Sequence, residues 1–201
     1  MLKKILCAAL ALILLTLGVC SCDKKDPNLE RVTITEEVTD TVAILVQDYG
    51  TIVIKLRPDV APISVANFQK LVSEDFYDGL IFHRVIESFM IQGGCPKGNG
   101  TGGSDETIQG EFSANGVENS LSHTRGTVSM ARSNAMDSAS SQFFIVHQDS
   151  TYLDGNYAAF GEVLYGMEVV DAIAAVKTNP SNDKPLQTVI ISSIVFVTVN
   201  E

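Results

Sequence analysis

Three groups of residues in this 201-residue chain have types and spacings that could do chemistry. Gly98-Asn99-Gly100-Thr101-Gly102-Gly103 fits G-x-G-x-x-G, the loop that sets a dinucleotide pyrophosphate on a helix N-terminus. Ser104-Asp105-Glu106-Thr107 follows with no helical period, so these glycines read as a tight surface loop. His83, Cys95, His123 and His147 are metal-ligand types, but spacings of 12, 28 and 24 match no local ligand pattern. They read as scattered polar residues, and neither a metal nor a cofactor is expected. No Ser, Cys or Thr stands in a nucleophile-elbow context. The third group is Phe82-His83-Arg84-Val85-Ile86, then Phe89-Met90-Ile91-Gln92-Gly93-Gly94, with Ser129-Met130-Ala131-Arg132 and Ser141-Gln142-Phe143-Phe144-Ile145. Here His83 and Arg84 stand between apolar residues, which brings at least one charge to a half-buried face. A lone arginine in such a strand can equally be a surface residue on a sheet edge.

The elements that must carry these residues are mostly strands. Val42–Val46 and Thr51–Leu56 flank Asp48-Tyr49-Gly50, a hairpin by its turn residues. Pro62 opens a helix in which Val65, Phe68, Leu71 and Val72 form one apolar stripe, and Asp78-Gly79 ends it. Leu80–Ile86 and Phe89–Gln92 read as strands, and 93–126 as a long Gly-rich irregular region. Strands return at Thr127–Ala131, Gln142–His147, Ala158–Leu164 and Thr188–Val199. A second helix spans Met167–Val176, with Met167, Val170, Ile173 and Ala174 on one face. Eight strands and two helices predict a mainly β fold, a closed eight-stranded antiparallel β-barrel capped by two α-helices.

The chain is 45% hydrophobic, enough for one sizeable core and too short for two. Fourteen basic against twenty-four acidic residues give a net charge of −10, which argues against a nucleic-acid partner. Two of those basic residues and none of the acidic ones lie in residues 1–21, so the remainder stands at −12. Lys3 and Lys4 precede an apolar run, Ile5 to Val19, that is too short for a spanning helix and has the form of a secretory signal. Val19-Cys20-Ser21-Cys22 resembles a bacterial lipobox with Cys22 as the lipid acceptor. Ordinary signal cleavage or an uncleaved anchor are the alternatives. With Cys22 lipidated, Cys95 is the one free thiol of the mature chain, and the domain must be held by its core. Three segments follow: a signal peptide at 1–21, a lipidated Cys with a flexible tether at 22–40, and one domain at 41–201. The expected location is the cell envelope, at the periplasmic face of a bacterial membrane or the outer membrane.

The arginine group, together with Ala61-Pro62-Ile63-Ser64-Val65-Ala66-Asn67-Phe68, Gly100-Thr101-Gly102-Gly103, Leu153-Asp154-Gly155 and Phe160-Gly161, resembles the cyclophilin family of peptidyl-prolyl isomerases from about Thr41 to Val199. The resemblance implies rotation of X-Pro bonds in proline-containing polypeptides by a monomer without cofactors. Arg84 matches the family's catalytic arginine. Phe89, Met90, Phe144 and Leu153 match the walls of a proline pocket, and His83, Gln92 and Gln142 match polar contacts. Ala131 and Arg132 match the hold on the substrate backbone, and Gly100 the glycine loop beside it. Tyr152 stands where many members have Trp, and Tyr157 where many have His; both are counted as substrate contacts. A peptide-binding holdase with little turnover is the alternative use of the same groove, and retention of Arg84 favours the enzyme.

Overall fold

A computed structural model describes residues 25–200. The signal segment and Cys22 lie outside the described residues. Nine strands are present: β1 (Val32–Ile34), β2 (Thr41–Val46), β3 (Gly50–Leu56), β4 (Arg84–Ile86), β5 (Met90–Gly93), β6 (Thr127–Met130), β7 (Phe143–Val146), β8 (Ala159–Tyr165) and β9 (Ile191–Val199). They form one antiparallel sheet in the order β1-β9-β2-β3-β8-β6-β7-β5-β4. Two helices, α1 (Pro62–Ser73) and α2 (Met167–Ala174), pack on it.

The closed eight-stranded barrel expected from the sequence is therefore not formed. The sheet has nine strands and is open, with β1 and β4 at its edges. Part of the outer edge of β9 is occupied by β1, which pairs with Val197–Val199. Residues 80–83, expected to lengthen β4, run irregularly and touch the C-terminal segment through the single bridge Ile81↔Ile190. Two backbone bonds accompany it, Phe82 N–H to the Val189 carbonyl at 3.0 Å and Ile191 N–H to the Leu80 carbonyl at 2.8 Å. The Val85 N–H of β4 goes to the Asp183 carbonyl of a loop at 2.9 Å, so that donor is not available to another strand.

Local chemistry explains the elements that agree with the sequence. Asp48 and Gly50 adopt left-handed backbone (φ +65° and +114°), which lets the β2–β3 hairpin turn tightly. Helix α1 buries Val65, Phe68, Leu71 and Val72, as its apolar spacing requires, but stops at Ser73 rather than near Asp78. Helix α2 buries Val169, Val170, Ile173 and Ala174, with Met167 only partly covered. Phe68 stands 5.5 Å from Phe143 and 5.2 Å from Phe160 between ring centroids, joining α1 to β7 and β8 in the main core.

The expected tether also differs. Its described part is bound to the domain: Asn28 is buried and donates to the Thr51 carbonyl at 3.2 Å. Thr39 Oγ1 donates to the Val197 carbonyl at 2.9 Å, and β1 lies between these anchor points. Val32 is buried with Ala43, Val53 and Val197 in a small second cluster. Three residues, of which only Val32 is buried, are too short a periodic signal to mark this strand in the sequence.

Candidate active site

Alternation along β5 and β7 builds the site. Ile91 and Ile145 are cross-strand partners in the main core, whereas Met90, Phe144 and Val146 belong to a separate cluster with Leu153. Successive strand residues point to opposite faces, so the side chains adjacent to the core set must face away from it. There Met90 and Phe144 line a cavity of about 150 Å³. Met90, Phe144 and Leu153 are its buried apolar surface, and Phe89, Ala131 and Tyr157 are partly buried around it. Arg84, Gln92 and Arg132 bring the polar groups. Arg84 is placed by register, since it pairs with Gln92, which pairs in turn with Phe144.

The two arginines are held differently. Arg132 donates from Nε to the Asn156 carbonyl and from Nη1 to the Ser133 carbonyl, both at 2.9 Å. Its guanidinium also lies over the Tyr157 and Phe112 rings, 4.8 and 5.0 Å from the centroids. Arg84 contributes Nε to Asp183 Oδ2 at 3.3 Å. Its two Nη groups have no protein partner among the described residues. Of the two charges, Arg84 has the more terminal donors unengaged among the described residues.

A second cavity of about 340 Å³ adjoins the first and shares Gln92, Ala131 and Arg132 with it. Gly100 and Gln142 line this one. Gln142 Nε2 donates to the Gly100 and Gly102 carbonyls at 2.9 and 2.7 Å, and its Oε1 accepts from Gln92 Nε2 at 2.9 Å. These bonds fix the orientation of both amides and tie the glycine loop to the arginine row. His83 lines neither cavity. It is 5% exposed, and neither ring nitrogen has a hydrogen-bond partner among the described residues. Burial, helped by the charges of Lys184 and Arg84, pushes its pKa down to about 4. Tyr152 stands outside the cavity, 70% exposed, with its ring stacked 6.1 Å from Phe89.

Two features had no signal in the sequence. One is Asp183, the partner of Arg84. The other is an Asp154–His123–Ser129 chain, in which His123 and Ser129 are buried behind the apolar wall and Asp154 reaches the surface. His123 Nδ1 lies 2.8 Å from Asp154 Oδ1, and Nε2 lies 3.0 Å from Ser129 Oγ. The carboxylate can only accept, so Nδ1 carries the proton and Nε2 accepts from the Ser129 hydroxyl. Burial holds the His123 pKa below the usual imidazole value, against the pull of Asp154. The geometry is that of a nucleophilic triad, but Ser129 is 0% exposed and no substrate reaches it. Instead His123 stacks on Phe144 at 6.0 Å and supports the cavity wall. The other metal-ligand types are engaged apart from it. Cys95 Sγ accepts from Gly102 N–H, and His147 meets Ser88 and Asp171.

Comparison with known proteins agrees with this geometry. The family model for cyclophilin type peptidyl-prolyl cis-trans isomerase/CLD matches residues 41–196. The chain is 48% identical over 124 residues to peptidyl-prolyl cis-trans isomerase B of Bacillus subtilis, covering 62% of this chain and 83% of that one. It is 41% identical over 171 residues to a peptidyl-prolyl cis-trans isomerase of Acinetobacter baylyi, covering 81% and 89%. The crystal structure of a Cryptosporidium parvum cyclophilin type isomerase superposes with a TM-score of 0.73 at 30% identity, covering 81% of this chain and 99% of that one. The same Cryptosporidium protein has been crystallised in the presence of the dipeptide Ala-Pro, and that structure superposes with a TM-score of 0.71. A family match across eight of the nine strands, with relatives at 41–48% identity, makes this chain a member of the cyclophilin-type peptidyl-prolyl cis-trans isomerases.

Proposed function

We propose that the protein accelerates X-Pro rotation in exported or unfolded polypeptides, with Arg84 stabilising the transition state and the adjacent cavity gripping the proline ring. One observation carries this reading: a guanidinium with both Nη groups unengaged among the described residues lines an apolar cavity of about 150 Å³. An apolar cavity of about that volume holds a benzene ring, so a five-membered ring fits. The uncatalysed barrier, roughly 18–20 kcal/mol, comes from amide resonance that rotation must break. Midway, the prolyl nitrogen is pyramidal and regains its lone pair. A guanidinium aimed at that nitrogen binds it better than the planar ground state, which is differential stabilisation. Arginine suits the task because it stays charged and offers several donors. One such charged hydrogen bond contributes about 1.5–3 kcal/mol, roughly 10–100-fold in rate. Met90, Phe144 and Leu153 supply the grip while the carbonyl before proline swings, and no covalent step is needed.

This mechanism transfers no proton, and pH tests it. A general acid–base route through His83 would bend the kcat/KM profile near an imidazole pKa. With its pKa at about 4, His83 is neutral throughout pH 6–9 and contributes no change of charge there. On a tetrapeptide without ionisable side chains, kcat/KM is expected to be flat from about pH 6 to 9. His83→Gln should leave that shape intact. An inflection near 6.5 that disappears in His83→Gln would remove the arginine mechanism.

The same proposal places the enzyme in the cell envelope, on a lipid at Cys22. The lipobox-like Val19-Cys20-Ser21-Cys22 supports it. Asn28 is bound to the domain, so only the few residues between Cys22 and Asn28 would serve as tether. As a coil they span on the order of 10–15 Å, which would hold the domain close to the membrane surface. Cys22→Ser is expected to abolish metabolic fatty-acid labelling and release the protein from the membrane fraction. Undiminished labelling would transfer the acceptor role to Cys20 or end the lipoprotein reading.

A further inference from the structure

Asp183 lies 99 residues beyond Arg84 in the chain, yet its Oδ2 accepts from Arg84 Nε at 3.3 Å. Both side chains are partly exposed, 40% for Arg84 and 37% for Asp183, so the pair belongs to the open site rather than to the core. The segment around Asp183 is tied down at many points. Asn182 and Asp183 both donate to the Asn179 carbonyl, at 3.2 and 2.9 Å, and Asn179 N–H returns to the Lys184 carbonyl at 2.8 Å. Thr178 and Pro185 bridge the base of the loop. The Asp183 carbonyl takes the Val85 N–H at 2.9 Å, fixing this loop to the residue next to Arg84. Lys184 is drawn the other way, its Nζ donating to the Gly98 carbonyl at 3.1 Å, which leaves the Asp183 carboxylate to Arg84.

We infer that Asp183 is a positioning residue for the isomerisation: it holds the Arg84 guanidinium by Nε so that the Nη groups stay at the cavity. This inference rests on the reading of Arg84 as the group that meets the prolyl nitrogen. An arginine side chain has several free torsions, and each must be fixed before its charge can be aimed. A contact at Nε fixes the plane of the guanidinium without using the terminal donors, and a carboxylate on a rigid loop does this before substrate arrives. Such preorganisation acts on rate more than on ground-state binding. The carboxylate also offsets some of the arginine charge, which by itself would weaken catalysis. The inference is that alignment outweighs this loss.

Asp183→Asn is the suitable variant because Asp183 has φ +58°, a left-handed conformation that asparagine adopts readily, so the loop keeps its shape. In a protease-coupled assay on an uncharged proline tetrapeptide, Asp183→Asn is expected to lower kcat about threefold to fivefold, the upper part of the range for a partly exposed ion pair. KM should stay within twofold and the melting temperature close to wild type. Asp183→Glu, which keeps a carboxylate, should recover part of the loss. In an Arg84→Ala background, Asp183→Asn should cost nothing further. Unchanged or raised kcat in Asp183→Asn overturns the inference, as does a full additional loss in the Arg84→Ala background. Wild-type turnover in Arg84→Ala alone would instead strike the underlying reading of Arg84.

Discussion

Replacing Arg84 with alanine is expected to lower kcat/KM at least tenfold, and up to about a hundredfold, without unfolding the protein. The range is that of one charged hydrogen bond made at the transition state. The fold should survive because the side chain is 40% exposed and makes one ion pair, with Asp183, of a kind worth no more than about 1 kcal/mol. Arg84→Lys should restore only part of the activity. An ammonium keeps the charge but lacks the planar fork whose Nε is held while the Nη groups act. The comparison requires matched circular dichroism spectra and melting curves beside the kinetics. Turnover at the wild-type rate in a folded Arg84→Ala protein would show that the cavity alone accelerates rotation.

Glu111→Ala is expected to have the largest effect on stability, about 3–5 kcal/mol. Glu111 is 1% exposed, and its carboxylate caps the first turn of α1. Oε1 accepts from Ile63 N–H at 2.9 Å, and Oε2 accepts from Ser64 N–H and Ser64 Oγ at 2.7 and 2.6 Å. Among the described residues no other side chain caps this helix, since Ala61 occupies the N-cap position. Alanine would leave buried donors unpaired at about 1–3 kcal/mol each and remove a negative charge from a helix N-terminus. For a chain of this length that corresponds to a fall in melting temperature on the order of 10 °C. Glu111→Gln, which keeps one acceptor oxygen, should fall between. An alanine variant that melts within 2 °C of wild type would mean that water replaces the carboxylate at no cost.

The cap and the ion pair mark the boundary of what the sequence carries. Glu111 caps a helix 47 residues before it, and Asp183 meets Arg84 across 99 residues. No spacing rule reaches so far, and in the sequence both are ordinary acidic residues in polar loops. His83 and Tyr152 make the same point from the other side. Resemblance groups them with the site, but His83 is buried behind Gly100 and lines neither cavity, and Tyr152 stacks on Phe89 outside the pocket.

The sequence by itself determined most of the elements and the buried face of the first helix. The stripe of Val65, Phe68, Leu71 and Val72 set the buried side of α1, and the strand-forming runs on either side of Asp48-Tyr49-Gly50 set the first hairpin. These are local properties, fixed by the geometry of a helix or strand whatever surrounds it. The motif residues likewise sufficed for the family. Only the tertiary structure decided that the sheet stays open, that β1 joins it from a polar N-terminal stretch, and which residues hold the helix and the arginine in place. Closure depends on which backbone donors at the two edges find each other. Here the Val85 N–H went to a loop carbonyl and part of β9 went to β1, choices that side-chain pattern does not encode.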